Sequence, residues 1–170
     1  MTVLKDISMA QEQLYKPCGF EITDLSVEKE SAEYDAHTFK LNKLSIIYRA
    51  SKITPTKVGQ FVTIWKRNSQ GITEPFHISD DIDFIVISVR NGNHFGQFIF
   101  PKSVLIDKGI ISSSKKEGKR GIRVYAPWDK TENKQAIKTQ KWQIDYFISI
   151  NNNFSDIDLA KKLFLEFENK

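Results

Sequence analysis

The chain has a single cysteine, Cys18, among its 170 residues. No disulfide can form within it, and no cysteine-based zinc site. Cys18 lies in KPCGF, which reads as a turn after a helix rather than as a nucleophile's setting. Histidine is almost as scarce. His37, His77 and His94 are far apart and form no HxH or HxxxH pair, so each reads as an ordinary hydrogen-bonded residue. No apolar run approaches the ~20 residues of a membrane helix. The opening MTVLKDISMAQEQLYK breaks up with acids and amides the apolar stretch a signal peptide needs. A cytoplasmic protein with no membrane partner is therefore expected. No GxSxG motif is present, and the serines of SSSKK have no visible activating partner. No glycine-rich loop follows a strand in the Rossmann or Walker pattern, which argues against nucleoside-triphosphate chemistry. There is no internal repeat and no low-complexity tail.

What is present suits one folded domain spanning 1–170, with 12 Phe, 5 Tyr and 3 Trp as bulky core anchors. The net charge of +4 is mild, but it is unevenly spread. From Lys102 to Arg123 there are seven Lys and Arg against two acids, so the rest of the chain sums to −1. Within that segment KKEGKR reads as a mobile basic tip, where Lys115 and Lys116 serve only solvation.

The apolar spacing of Leu4, Ile7, Gln11 and Leu14 predicts a helix over residues 1–19, with Thr2 as cap and Pro17 and Gly19 as its end. AEYDAHTFKL and LSIIYRASKI flank Asn42-Lys43 as a hairpin. QFVTIWKR reads as one strand with Phe61, Thr63 and Trp65 on a common face. DFIVISVR, nearly all apolar, reads as a central strand covered on both sides. Asn91-Gly92 then turns the chain into the antiparallel HFGQFIF. A short helix PKSVLIDK should stop at Gly109. GIRVYAPW follows as a strand, and Thr131 is the expected cap of a helix through ENKQAIKTQKW. QIDYFISI fits helix or strand. Ser155 or Asp156 should cap a last helix over 155–170, with Ile157, Ala160, Leu163, Phe164 and Phe167 on one side. The whole is a mixed α/β fold, a mostly antiparallel central sheet with flanking helices.

Two residue sets bear on chemistry. Asp80, Asp81 and Asp83 precede the central strand, where a nuclease would place carboxylates for a divalent cation. Turn and capping roles explain Asp80 and Asp81 more simply. The second set is basic and aromatic. Lys57, Lys66, Lys102, Lys108, Lys119, Arg120 and Arg123 sit at strand and helix ends, and such cations suit phosphate contact. Tyr125 and Trp128 could stack on a base or ribose. Solvation and protection of sheet edges are the plain alternative.

KITPTKVGQFVTIWKR, SDDIDFIVI, FGQFIFPKSVLIDKGIIS, GKRGIRVYAPW and QAIKTQKWQ together resemble the MepB family, over roughly Glu33 to Tyr146. That family is named for a gene cluster with a multidrug efflux pump and a repressor. The resemblance implies a fold similar to type II restriction endonucleases, with duplex DNA as the expected partner. It carries over Lys57, Trp65, Lys66, Lys102, Lys108, Lys119, Arg120, Arg123, Trp128 and Gln140 as candidate binding positions. A nuclease signature would need an acid-x-Lys pair beside Asp83 or Asp80, and here Gln97-Phe98-Ile99 stands in its place. The expectation is a DNA-binding protein without cleavage and without a cofactor. Two alternatives stay open: an atypical magnesium-dependent nuclease, and a regulatory module sensing a small molecule through a pocket lined by Trp65 and Trp128.

Overall fold

A computed structural model describes residues 2–151 and 156–168. Its centre is a six-stranded sheet. In chain order its strands are β1 (Ile22–Val27), β2 (His37–Leu41), β3 (Leu44–Ala50), β8 (Phe84–Asn91), β9 (His94–Pro101) and β11 (Phe147–Ser149). They lie side by side in that same order. All neighbours are antiparallel except β3 and β8. The crossover from β3 to β8 carries β4 (Lys52–Ile53), β5 (Gln60–Thr63), β6 (Trp65–Arg67) and β7 (Thr73–Pro75). β10 (Gly121–Val124) joins β5 and β4 in a second, three-stranded sheet.

β8 shows why its sequence is apolar throughout. Phe84 and Val86 face one layer, and Ile85, Ile87 and Val89 face the other. The first layer is built by α1 (Thr2–Ala10), a π-helical turn at Gln11–Tyr15, and α4 (Ile157–Glu168). Phe164 of α4 is fully buried against Phe84 and Phe20, with ring centroids 5.0 and 5.3 Å away. Burying one such ring stabilises the fold by about 1.5–3 kcal/mol. The second layer holds the small sheet, α2 (Lys102–Asp107) and α3 (Lys134–Gln143). Among the described residues, no helix is long and apolar enough to cross a membrane.

The expected hairpins on either side of Asn42-Lys43 and at Asn91-Gly92 both form. Gly92 takes the positive φ of 60° that this tight turn requires. Other expectations change. QFVTIWKR is not one strand. It breaks at Ile64, so that β5 pairs with β10 while β6 pairs with β7. Buried Arg49 lies at the break, its Nε donating to the Thr63 carbonyl at 3.2 Å. Asn133, not Thr131, caps α3, accepting from the Ala136 amide at 2.8 Å. Thr131 instead donates to Gln140. QIDYFISI divides into a 3-10 turn at Ile144–Tyr146 and β11. At the last helix Asp156 accepts from the Leu159 amide. Ser155, and the side chains of Thr2, Leu4 and Phe167, lie outside what is described.

Candidate nucleic-acid interface

Strand alternation makes the floor of a cleft. On β10, Ile122 and Val124 point into the core, while Gly121, Arg123 and, just beyond the strand, Tyr125 are only half-buried. Gly59, at φ +83°, ends the neighbouring hairpin turn where a Cβ would come within 2.7 Å of the Tyr125 ring. Arg123 reaches across that turn, donating to Thr54 Oγ1 at 3.0 Å and the Val58 carbonyl at 3.2 Å. Among the described residues, the opposite edge of β10 has no strand partner. Gln143 of α3 takes the role. Its Oε1 accepts from the Tyr125 amide at 2.8 Å, and its Nε2 donates to the Arg123 carbonyl at 3.1 Å. One buried side-chain amide thus completes the ladder and sets α3 as the cleft's wall.

The cleft has a volume of about 720 Å³. Lys57, Lys108, Lys119 and Arg123 line it, and Glu132 is its one acidic lining residue. Phe61, Tyr125 and Trp142 supply ring surface. Lys108 caps the C-terminal end of α2, where a cation suits the helix dipole, and its Nζ lies 5.4 Å from the centre of the Trp142 ring. Lys119 is held by its amide, which donates to the Ile110 carbonyl at 2.9 Å. The tip before it is tied down too. Ser113 N donates to the Lys116 carbonyl, and Gly118 N donates to Ser112 Oγ at 2.7 Å. Among the described residues, none of these four cations is in an ion pair.

The other sequence candidates are elsewhere. Lys66 is paired with Asp80 at 2.6 Å and Glu74 at 3.5 Å. Burial alone would lower the pKa of its ammonium, but the hydrogen bond and the two carboxylates outweigh that and raise it. Lys102 donates to the Asp80 carbonyl. Arg120 bonds the Thr73 carbonyl and pairs with Glu117. Gln140 staples its own loop, donating to the carbonyls of Ala126 and Asp129. His94 stacks on Trp128 at 4.8 Å, and Phe147 meets it in a T-shaped contact at 5.5 Å. Trp65 packs with Arg67, and neither Trp65 nor Trp128 lines the cleft, so the pocket expected between them does not form there.

The acidic set is used structurally. Asp80 accepts from the His77 amide, and Asp83 accepts from the Ser45 amide while donating its own N–H to the Ser45 carbonyl. β3 and β9 are the two neighbours of β8. Gln97 pairs with Ser88, five residues or roughly 16 Å along the strand from Asp83. It is fully buried, accepting from the Tyr15 hydroxyl at 2.6 Å and donating to Ser88 Oγ at 3.1 Å. It is a core amide and cannot replace a catalytic acid beside Asp83. No group of three or more His, Cys, Asp and Glu placed to hold a metal occurs among the described residues. Burial pushes the Cys18 thiol up to about 11, with Lys161 offsetting part of that, so it is protonated at neutral pH.

The sequence profile of the MepB-like family matches residues 28–149. The chain belongs to the MepB-like family. The solved crystal structure of MepB is 36% identical, covers 78% of this chain and 89% of its own, and superposes with a TM-score of 0.75. A bacterial homing endonuclease, I-Ssp6803I, aligns at 16% identity over 75% of this chain and 80% of its own. Its TM-score of 0.44 is too low to carry an argument. A comparison with curated proteins finds no match.

The cleft of this MepB-like chain also contains residues that sequence reading passed over. By sequence Gln143 is one more polar residue of α3. Its spacing from Ala136, the other buried residue of α3, was the available signal. Phe61 and Trp142 carried no signal beyond being aromatic.

Proposed function

We propose that this MepB-like protein binds DNA through its phosphate backbone and does not cleave it. One observation carries the reading: Lys57, Lys108, Lys119 and Arg123, drawn from three separate segments, line one cleft and have no ionic partner among the described residues. Folding gains nothing from gathering like charges, so the arrangement favours an anionic ligand. Asp80 and Asp83 act here as turn and strand-end residues, and the reading includes no metal and no hydrolytic step. Lys66, Lys102, Arg120, Trp128 and Gln140 support the scaffold.

The test is the salt dependence of affinity for a DNA oligonucleotide. Each neutralised phosphate contributes about −0.7 to −0.9 to the slope of log affinity against log salt, so four contacts give about −3 to −3.6. The Lys57→Ala/Lys119→Ala double variant should lose about 1.5 of that slope, and Lys66→Ala/Arg120→Ala should leave it unchanged. A wild-type slope near zero refutes phosphate contact.

A further inference from the structure

We infer that a second cavity, beside the cleft, binds a small organic ammonium ion. The inference is independent of the phosphate-binding reading. The cavity has a volume of about 390 Å³, within the range of about 300–1,000 Å³ typical of small-ligand pockets. Two short helical faces enclose it. Ser103 and Asp107 stand one turn apart on α2, so they share a face. Trp142, Asp145 and Tyr146 share another, where α3 runs into the 3-10 turn. The rings of Trp142 and Tyr146 meet at 65° with centroids 6.4 Å apart, which makes two walls of a corner. Phe100, fully buried, packs on both at 5.3 and 6.1 Å and fixes the corner before any guest arrives.

The protein already holds a cation of its own there. The Lys108 ammonium lies 5.4 Å from the centre of the Trp142 ring, inside the ~6 Å at which a ring face attracts positive charge. It stands where the head of a guest would stand. It does not satisfy the carboxylates: among the described residues, neither Asp107 nor Asp145 is in an ion pair. Two acids against one tethered lysine leave this lining net negative, although the whole chain carries +4. The Tyr146 hydroxyl feels that field. Its pKa is raised, first by burial and then by Asp145, Glu166 and Asp107. Folding gains nothing from setting these carboxylates around one ring, whereas an organic cation gains both the ring faces and the charge. A hard metal ion is a poor guest. It needs several oxygen ligands at once, and no group of three or more His, Cys, Asp and Glu is placed to hold one among the described residues. An anion is repelled by the same carboxylates, which sets this cavity apart from the cleft.

The experiment is titration calorimetry of the full chain, at constant ionic strength, with choline, with its neutral isostere 3,3-dimethylbutan-1-ol, and with ammonium ion. Choline should bind saturably, and roughly tenfold more tightly than either of the others. Trp142→Leu should weaken choline by about 3- to 30-fold, whereas Trp142→Phe, which keeps a ring, should retain most of the affinity and guards against a folding defect. Asp107→Asn and Asp145→Asn, both at exposed positions, should each weaken it by about 1.5- to 5-fold. Lys108→Ala should tighten it by about 2- to 5-fold, because the resident cation no longer competes for the ring. Equal affinity for the isostere overturns the inference and leaves an apolar crevice. Equal affinity for ammonium ion also overturns it and leaves a diffuse acidic surface. Choline binding that none of these substitutions changes lies elsewhere on the protein and overturns the assignment, as does the absence of saturable binding. The phosphate reading stands or falls separately, on the salt slope.

Discussion

Replacing Gln143 should damage stability more than any exposed residue of α3. The side chain is 1% exposed, and both ends of its amide are used on β10. Gln143→Leu fills similar volume but strands the Tyr125 N–H and the Arg123 carbonyl. A buried polar group left without a partner costs about 1–3 kcal/mol. Both residues are half-buried, so some water reaches them, and the lower part of that range applies. The expected loss is about 2–4 kcal/mol, or about 4–15 °C in Tm for a protein of this length. Urea unfolding measures the loss, and hydrogen exchange at the Tyr125 amide locates it. Gln143→Glu sharpens the logic. Its carboxylate can still accept from Tyr125 but turns an oxygen towards the Arg123 carbonyl. When protonated, the carboxyl donates there as the amide did. The folded state therefore holds this proton more tightly than the unfolded chain, whose Glu titrates near ~4.3. The deficit relative to wild type should grow as pH rises above that value and shrink as pH falls towards it. A loss below about 0.5 kcal/mol for Gln143→Leu, with Tyr125 exchange unchanged, refutes the bridging role, since that is the scatter of ordinary surface substitutions.

Two further outcomes follow from the same geometry. A Cβ on Gly118 would lie 2.2 Å from the Ile110 carbonyl oxygen, so Gly118→Ala must push the backbone away and displace Lys119; both Tm and oligonucleotide affinity should fall, and wild-type values for both would show that the loop is not anchored there. Cys18 is held as a thiol by burial, its pKa raised from 9.0 to about 11, so the folded state keeps its proton longer than the unfolded chain and stability should decline as pH rises from 9.0 towards 11. At pH 8 iodoacetamide should label the folded protein roughly 100-fold more slowly than the urea-unfolded chain, and equal rates would refute the burial argument.

Local order was readable wherever a short-range rule governs it. The run FIVISV could only be a strand covered on both sides, and β8 is that strand. The Asn91-Gly92 signal located a tight turn, whose two loop residues are Gly92 and Asn93, and Gly109 ended α2 at φ +71°. The cleft was partly readable, since Lys57, Lys108, Lys119, Arg123 and Tyr125 were all candidates on composition and position. Nothing local distinguishes them from Lys66, Arg120, Trp128 or Gln140. What separates the cations is whether each meets a carboxylate, and what separates the rings is whether each lines the cleft; the segments that decide this can lie far off in the chain. Lys66 is neutralised by Asp80, fourteen residues away, and Arg120 bonds Thr73, forty-seven away. At the break beside Ile64, the Thr63 carbonyl likewise accepts from Arg49, fourteen residues away.

Taken alone, then, the sequence determined the elements, the two-sided sheet and the basic segment, because periodicity, turn chemistry and charge are properties of neighbouring residues. Tertiary structure alone decided which cations remain unpaired, that Gln97 is a core amide, and that Gln143 closes the open edge of β10. Each of these depends on a contact between distant segments, and such contacts exist only once the layers have packed.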